Sequence, residues 1–457
     1  MNIEKVKTIA TTSTEVSDLE TYGRDWSMNF PANPSAVVFP KTEDEVVQLV
    51  QWARENKTAL VPSGGRTGLS SAATATNKEV VVSFEKMNQI LEFNETDQVI
   101  RVQPGVITED LINFAAEKGY FFPIDLAAKG SCQIGGNVAT NAGGVRVLKY
   151  GMMRNWVSGL KVVTGAGERL YLNKSLVKNA TGFDLKNLFV GSEGTLGFIT
   201  EIELKVTRPQ PNTTVLVVGL EKLADVINVY KHFRQGADLS ACEVFSNYSM
   251  NKVLEVMDLQ KPFDSEAAFY LLLELEHLEE DASETIAPLF EYCFEQGWIH
   301  DGVISQSPTQ AKNLWALREN VSESLSTKSP YRNDVSVRIP NIPAFVEELE
   351  SAYKKEYPDF EVAWFGHIGD GNLHIDILKP DDMDKTEFIK KCKASDSVLF
   401  SVVQKYQGSI SAEHGVGLLK KDYLEYSRSP EEIRIMKGIK KVFDPDNILN
   451  PGKIFDL

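Results

Sequence analysis

Gly130-Ser131-Cys132-Gln133-Ile134-Gly135-Gly136-Asn137-Val138-Ala139-Thr140-Asn141-Ala142-Gly143-Gly144 puts five glycines and several small polar residues into fifteen positions. Such a stretch makes a poor helix and a poor strand, so it reads as loop. A backbone this bare is justified where it must approach a large ligand closely. Two more stretches repeat the idea: Pro62-Ser63-Gly64-Gly65-Arg66-Thr67-Gly68-Leu69-Ser70-Ser71 and Gly191-Ser192-Glu193-Gly194-Thr195-Leu196-Gly197. Backbone N–H groups freed by glycine can form an anion-binding concavity, although the Pro62–Ser71 turn is neither a Walker A loop nor G-x-G-x-x-G. Three such loops in one N-terminal block imply a long, phosphate-containing cofactor lying across them. A loop-rich α/β domain without a ligand is the plain alternative.

Working outward, the flanking segments alternate between strand and helix patterns. Ala36–Phe39 is apolar and extended. Thr42 is placed to cap a helix over Glu43–Glu55, in which Val46, Val47, Leu49, Val50 and Ala53 fall on one face. Ala59–Pro62 is extended, Val80–Phe84 and Val99–Val102 are strands, and an amphipathic helix over Thr108–Glu117 follows Gln103-Pro104-Gly105. Pro209-Gln210-Pro211 then punctuates the chain. Beyond it, Thr213–Leu220, Phe269–Leu275, Ile299–Ser305 and Asp334–Ile339 read as strands. Helices are predicted from Leu223 to Phe233, over Ala282–Gln296, Ala311–Leu325 and Ile342–Lys355, and around Pro430–Val442. This alternation indicates an α+β or α/β second domain built on a sheet.

Gly366-His367-Ile368-Gly369-Asp370-Gly371-Asn372-Leu373-His374-Ile375-Asp376 carries two of the six histidines. The loop Gly369–Asn372 lies between an apolar run ending at Phe365 and another beginning at Leu373, the pattern of a β-hairpin. In that register Ile368 faces Leu373 and His367 faces His374, with Cβ atoms about 5 Å apart. Two imidazoles so placed can share one metal ion. Divalent metals take two imidazoles plus a carboxylate and leave a position open for substrate. Glu413, in Ser411-Ala412-Glu413-His414-Gly415, is a candidate third ligand whose nearness sequence spacing does not show. A glycine-rich hairpin with solvated or core histidines is the alternative.

Arg332, Asp334, Ser336 and Arg338 alternate and so share one strand face, with Val335 and Val337 on the other. Arg318 and Ser322 are i and i+4 on the preceding predicted helix. Arginine meets carboxylates by two-point hydrogen bonding, so a carboxylate pocket is one reading; an edge strand with solvated charges is the other.

The net charge of −16 argues against a nucleic-acid surface, which needs Lys and Arg to neutralise phosphates. An anionic substrate would have to be drawn in by a local cationic pocket against the mean field. Cys132, Cys242, Cys293 and Cys392 show no CxxC spacing and read as reduced, mostly structural thiols of a cytoplasmic protein. Residues 1–20 hold no apolar h-region, and no apolar run approaches a membrane span.

Together these motifs resemble a known family. The N-terminal half resembles the FAD-binding domain of the vanillyl-alcohol oxidase/p-cresol methylhydroxylase superfamily through Pro62–Ala72, Gln103-Pro104-Gly105, Ile134–Gly144 and Gly191–Gly197. The C-terminal half resembles the FAD-linked 2-hydroxy acid dehydrogenases through Gly366–His374, Glu413-His414-Gly415 and Asn450-Pro451-Gly452-Lys453. Within that family the chain is most similar to the D-2-hydroxyglutarate dehydrogenases, with D-lactate dehydrogenases and the glycolate oxidase flavoprotein subunit as near relatives.

The resemblance implies an α+β protein: a two-subdomain FAD-binding domain over 1–208, an α+β substrate (cap) domain with a mainly antiparallel sheet over 209–408, and a small helical C-terminal segment, 409–457, returning to the flavin site. It implies that FAD is held by Pro62, Ser63, Gly64, Gly65, Arg66, Thr67, Gly68 and Leu69, and by Pro104 and Gly105. Gly130, Ser131, Ile134, Gly135, Gly136, Asn137, Thr140, Asn141, Gly143 and Gly144 would join them, with Glu193, Gly194, Gly197, Ile199 and Asn450. Arg66 stands where covalent relatives carry histidine after the double glycine, so non-covalent FAD is expected. His367, His374 and Glu413 would bind a divalent metal, zinc with manganese or iron as alternatives, and His414 would be the general base. Arg318, Ser322, Arg332, Asn372 and Asp376 would bind substrate. Asp376 departs from the family, which usually has asparagine there.

The implied reaction is oxidation of a D-2-hydroxy acid to the 2-oxo acid with hydride transfer to flavin N5. An electron-transfer protein or a quinone would take the electrons, and a homodimer is left open. A metal-dependent hydrolase could use the same His/Glu set, but would be colourless where a flavoprotein is yellow.

Overall fold

The computed structural model describes residues 3–280 and 282–457. The chain forms two compact units, one comprising Met1–Gly144, Gly151–Pro209 and Glu413–Leu457, the other Val145–Tyr150 and Gln210–Ala412.

The first unit holds two sheets. Ala36–Phe39, Val80–Ser83 and Leu60–Ser63 are parallel neighbours, with Thr11–Ser13 added antiparallel at one edge. The Glu43–Asn56 helix covers this sheet, burying Val46, Val47, Leu49, Val50 and Ala53 as their spacing predicts, and Trp52 besides. Thr42 Oγ1 accepts the Glu45 N–H at 3.2 Å, a cap that contributes about 1 kcal/mol. The second sheet is antiparallel: Ile90–Asn94, Val99–Val102, Gly197–Lys205, Val157–Thr164 and Arg169–Leu172 in spatial order.

The Gly130–Gly144 stretch departs from its loop reading. Ile134–Thr140 is a short helix that buries Ile134, Asn137 and Val138 and ends at Asn141 in the left-handed region. Packing outweighs the glycines' poor propensity here, because a Cβ on Gly135 would lie 2.5 Å from Pro104 Cβ.

The second unit is built on a seven-stranded sheet. In chain order its strands are β1 (Asn212–Leu220), β2 (Asp238–Ser246), β3 (Phe269–His277), β4 (Asp301–Ile304), β5 (Tyr331–Ser336), β6 (Glu361–Gly366) and β7 (Asn372–Leu378). The spatial order is β4-β1-β3-β2-β6-β7-β5, and every pair is antiparallel. One face packs on helices Ile342–Glu356 and Lys385–Lys405, tied down by Trp364 to Glu350 and Tyr331 to Asp396. The other face, with Ala241, Phe245, Ala363 and Phe365, packs on helices that include Pro308–Glu319 and Val321–Ser326. The short Val145–Tyr150 segment binds the same sheet through Arg146 to Glu274 (2.8 Å) and Lys149 to Glu276 (2.5 Å).

Three expectations need correction. The predicted Ala311–Leu325 helix breaks at Asn320, whose side chain donates to the Ala316 carbonyl at 2.8 Å and competes with the helix backbone. Arg318 and Ser322 therefore do not share one helix face. The strand expected over Asp334–Ile339 runs Tyr331–Ser336, which leaves Arg338 beyond its end. The hairpin forms, but Phe365, not His367, pairs with His374. The His367 carbonyl accepts N–H groups from Asp370, Gly371 and Asn372, winding His367 into the turn.

Candidate active site

In the first unit one cleft gathers many of the residues singled out from sequence. Pro62, Gly64, Pro104, Gly135, Gly136, Thr140, Glu193, Gly194, Gly197 and Ile199 line it. Ala72, Gln133 and Ala139, which lie inside the quoted motifs without having been singled out, also line it, as do Ala73, Phe84 and Phe198 outside them. Glycine plays two roles here. A Cβ on Gly136 would meet open space, whereas one on Gly65 would lie 2.2 Å from the Ser131 carbonyl oxygen and one on Gly105 2.1 Å from that of Phe84.

The other residues expected at a cofactor do not line this cleft. Asn137 is buried and donates to Thr108 Oγ1 at 2.6 Å, and Ile134 is core. Asn141 accepts the Arg154 N–H. Gly144 packs on the Asp125 carbonyl, Gly130 faces Glu109, and Ser131 Oγ bonds the Ala128 carbonyl. Arg66 adopts φ +60° and lays its guanidinium 4.4 Å from the Tyr22 ring centre. Ser63, Thr67, Gly68, Leu69 and Gly143 likewise lie off the lining.

Glu193 does more than line the cleft. Its buried carboxylate accepts the N–H groups of Val416 (2.7 Å) and Gly417 (2.8 Å), just beyond His414. Burial raises its pKa, and the two donors oppose that rise. Asn450 Nδ2 binds the Ala72 and Glu193 carbonyls, locking the C-terminal stretch to the same loops. Glu413 and His414 are half-buried.

In the second unit, one sheet face carries a polar row amid apolar core. His367 and His374 have ring centres 5.4 Å apart, and a ligating nitrogen of each lies within 4.8 Å of the other. The slip of two residues in the hairpin keeps both histidines on one face, since only an odd slip would reverse it. Asp334 pairs with His374 across β5 and β7, and its carboxylate also comes within 4.8 Å of a His374 nitrogen. Buried Asp334 accepts from Asn372 Nδ2 at 2.8 Å and from the Ala412 N–H at 3.0 Å. Asn372 is thus occupied in positioning Asp334.

Each expected substrate arginine has an acid beside it. Arg318 Nη2 lies 2.9 Å from Glu243 Oε2, both side chains buried, and its guanidinium sits over Phe365. Glu243 Oε1 is 2.8 Å from His367 Nδ1. Arg332 Nε lies 3.6 Å from Asp376 Oδ2, and Nη2 donates to the Ser322 carbonyl and Ser326 Oγ. Burial pushes the Asp376 carboxyl up to about 7 against the pull of Arg332. Sequence reasoning missed Glu243 and gave Asp334 no role.

Residues 209–454 match the family "FAD linked oxidases, C-terminal domain", and residues 34–173 match "FAD binding domain". A protein of Stutzerimonas stutzeri named D-2-hydroxyglutarate dehydrogenase is 54% identical over 456 residues, 99% of this chain and 98% of its own length. The chain belongs to the FAD-linked oxidases. A Xanthomonas citri pv. viticola protein of the same name is 48% identical over 97% of this chain and 94% of its own. The bovine mitochondrial D-2-hydroxyglutarate dehydrogenase is 36% identical over 96% and 80%. The fold is that of p-cresol methylhydroxylase, whose substrate-bound structure superimposes with TM-score 0.79 over 99% of this chain and 96% of that one, at 17% identity.

As an FAD-linked oxidase the chain is an FAD-dependent oxidoreductase, and its cleft suits such a group. Gln133 Oε1 is buried at the lining without a hydrogen-bond partner among the described residues, and FAD offers hydroxyl and N–H donors. Gly136 leaves room where a side chain would intrude. The two-imidazole donor set on the second unit suits a divalent ion such as zinc.

Proposed function

We propose that this FAD-linked oxidase oxidises a D-2-hydroxy acid to the 2-oxo acid, with D-2-hydroxyglutarate as the substrate that fits best. The observation that carries this reading is the sheet face on which paired histidines adjoin two arginines. Such a face can take a hydroxy acid at one end and a second carboxylate at the other. The names of relatives nearly coextensive with the chain support the same substrate. D-Lactate and glycolate are the alternatives.

His367, His374 and Glu413 would hold a divalent metal, zinc or else manganese or iron, which when bound lowers the pKa of a coordinated hydroxyl. Bound FAD supplies the hydride acceptor. The protein's own groups do the rest. His414 takes the C2 hydroxyl proton as general base, a role that imidazole most often fills. Arg318 and Arg332 meet carboxylates by charge-assisted hydrogen bonds. Asp334 is a further carboxylate beside His374, which it faces directly across the sheet. FAD is held without a covalent link, Arg66 occupying the linkage position, and an electron-transfer protein or quinone takes the electrons away.

Anaerobic mixing with a panel of D- and L-2-hydroxy acids tests this. D-2-Hydroxyglutarate should bleach the 450 nm flavin band fastest, and EDTA should abolish bleaching while leaving FAD bound. Bleaching that survives complete metal removal would end the metal assignment, and a faster reaction with D-lactate would replace the substrate.

A further inference from the structure

Glu243 lies on β2, an inner strand between β3 and β6, and is fully buried. The β2–β6 ladder pairs Phe245 with Phe365 and Val244 with Gly366. One more step in that register sets Glu243 opposite His367. Its neighbours on the same strand face, Ala241 and Phe245, are core residues, so an apolar side chain would suit the position. An unpaired buried carboxylate costs several kcal/mol. What occupies its oxygens therefore indicates why it is there.

Oε2 forms an ion pair with Arg318 Nη2 at 2.9 Å, without hydrogen-bond geometry, and Oε1 accepts from His367 Nδ1 at 2.8 Å. A purely structural ion pair would need only the arginine. The second contact fixes the chemistry of the imidazole. A carboxylate only accepts, so Nδ1 carries the proton and the lone pair is left on Nε2. The carboxylate also holds the ring plane, and His367 stands T-shaped to His374, with ligating nitrogens within 4.8 Å. On the other side, Arg318 is held by charge beside Glu243 and over the Phe365 ring, while its buried Nε and Nη2 make no hydrogen bond among the described residues. Those donors are what a substrate carboxylate reaching this arginine would satisfy.

We infer that Glu243 is a positioning residue, one carboxylate that sets the tautomer and orientation of His367 for a metal ion and the place of Arg318 for a substrate carboxylate. The inference rests on the proposed roles of His367 and Arg318. It joins metal retention and anion binding through a single side chain, so damage to it reaches both.

The test is zinc affinity of the FAD-loaded protein without substrate, measured by competition with a chromophoric chelator, together with the visible spectrum of the cobalt-substituted protein. Glu243→Gln keeps the shape but not the charge. It should weaken zinc binding roughly 10- to 100-fold, the usual effect of losing such a partner, and alter the cobalt bands while FAD content is kept. Arg318→Met leaves the Glu243–His367 bond intact and should change zinc affinity less than threefold, roughly the scatter expected for an uncoupled site, while raising KM for the hydroxy acid. The double variant E243M/R318M removes the pair together, so no buried charge is stranded. It should fold and still lose zinc affinity as Glu243→Gln does. Zinc binding as tight in Glu243→Gln as in the parent overturns the inference, as does an equal loss in Arg318→Met alone. A parent that takes up no zinc overturns the metal assignment itself, and this inference with it.

Discussion

Arg332 and Asp376 face each other across β5 and β7 at the edge of the second unit's sheet, Nε 3.6 Å from Oδ2, with the acid buried and the arginine one-third exposed. The acid holds back a cation that a substrate carboxylate would otherwise meet alone. Replacing Asp376 with Asn should therefore lower KM for D-2-hydroxyglutarate roughly three- to tenfold by removing a nearby like charge, and leave KM for D-lactate nearly unchanged. Arg332→Ala should cut kcat/KM for the dicarboxylate roughly 10- to 100-fold, the range for losing a charged hydrogen bond, and affect D-lactate far less. Steady-state kinetics with both acids decide it; parallel changes on the two substrates would remove Arg332 from the dicarboxylate pocket.

Glu193 accepts two N–H groups from the turn that follows His414, and it does so from a buried position. Glu193→Ala would strand both donors, at a cost of about 3 kcal/mol. Chemical unfolding of the FAD-loaded protein should show that loss. Because the turn carries His414, kcat should also fall at least roughly tenfold, as expected when a proton acceptor is misplaced by about 1 Å. Unchanged kcat in a destabilised variant would confine Glu193 to a structural role.

The α+β architecture and the histidine hairpin were legible because apolar runs with period two survive any detail of the turn. The register was not, since three N–H groups converge on the His367 carbonyl, a matter of turn winding that side-chain pattern does not record. Parity rescued the conclusion, because the slip was of two residues. Glu243 was invisible for a different reason. It lies 124 residues from His367 in sequence, and an acid in a strand reads as exposure unless its partner is known. Glycines misled in a third way. Sequence shows glycine at positions 65 and 136 alike, but not that a side chain would meet protein backbone at the first and open space at the second.

That distinction is testable. A Cβ on Gly65 meets the Ser131 carbonyl at 2.2 Å, so Gly65→Ala should destabilise the fold by about 1–3 kcal/mol, the cost of overpacking. Gly136 lies in the Ile134–Thr140 helix with open cleft before it. Gly136→Ala should keep or gain stability, up to about 1 kcal/mol from helix propensity, yet weaken FAD binding roughly tenfold or more through contact with the cofactor. Flavin retention on gel filtration, set beside apoprotein melting, separates the two variants. Full FAD affinity in Gly136→Ala would move the cofactor away from this helix.

Lys453 closes the Asn450–Lys453 motif and is buried in the first unit. Burial pushes its ammonium down to about 8; Glu79 pulls it back up, Lys421 depresses it further, and Asp25 and Glu193 again raise it. An unfolded lysine titrates near 10.4, so between about pH 8 and 10.4 the unfolded chain binds more protons than the folded one. Stability contributed at this position must then rise with pH across that window, by about 3 kcal/mol at most. Below pH 8 the folded protein bears the full cost of a buried cation. Lys453→Met lacks this titration. Denaturant unfolding of parent and variant at pH 7.5 and pH 10 should show the variant relatively more stable at the lower pH and losing that advantage at the higher. A stability difference independent of pH would mean that Lys453 keeps its proton throughout, held as a cation by the three acids around it.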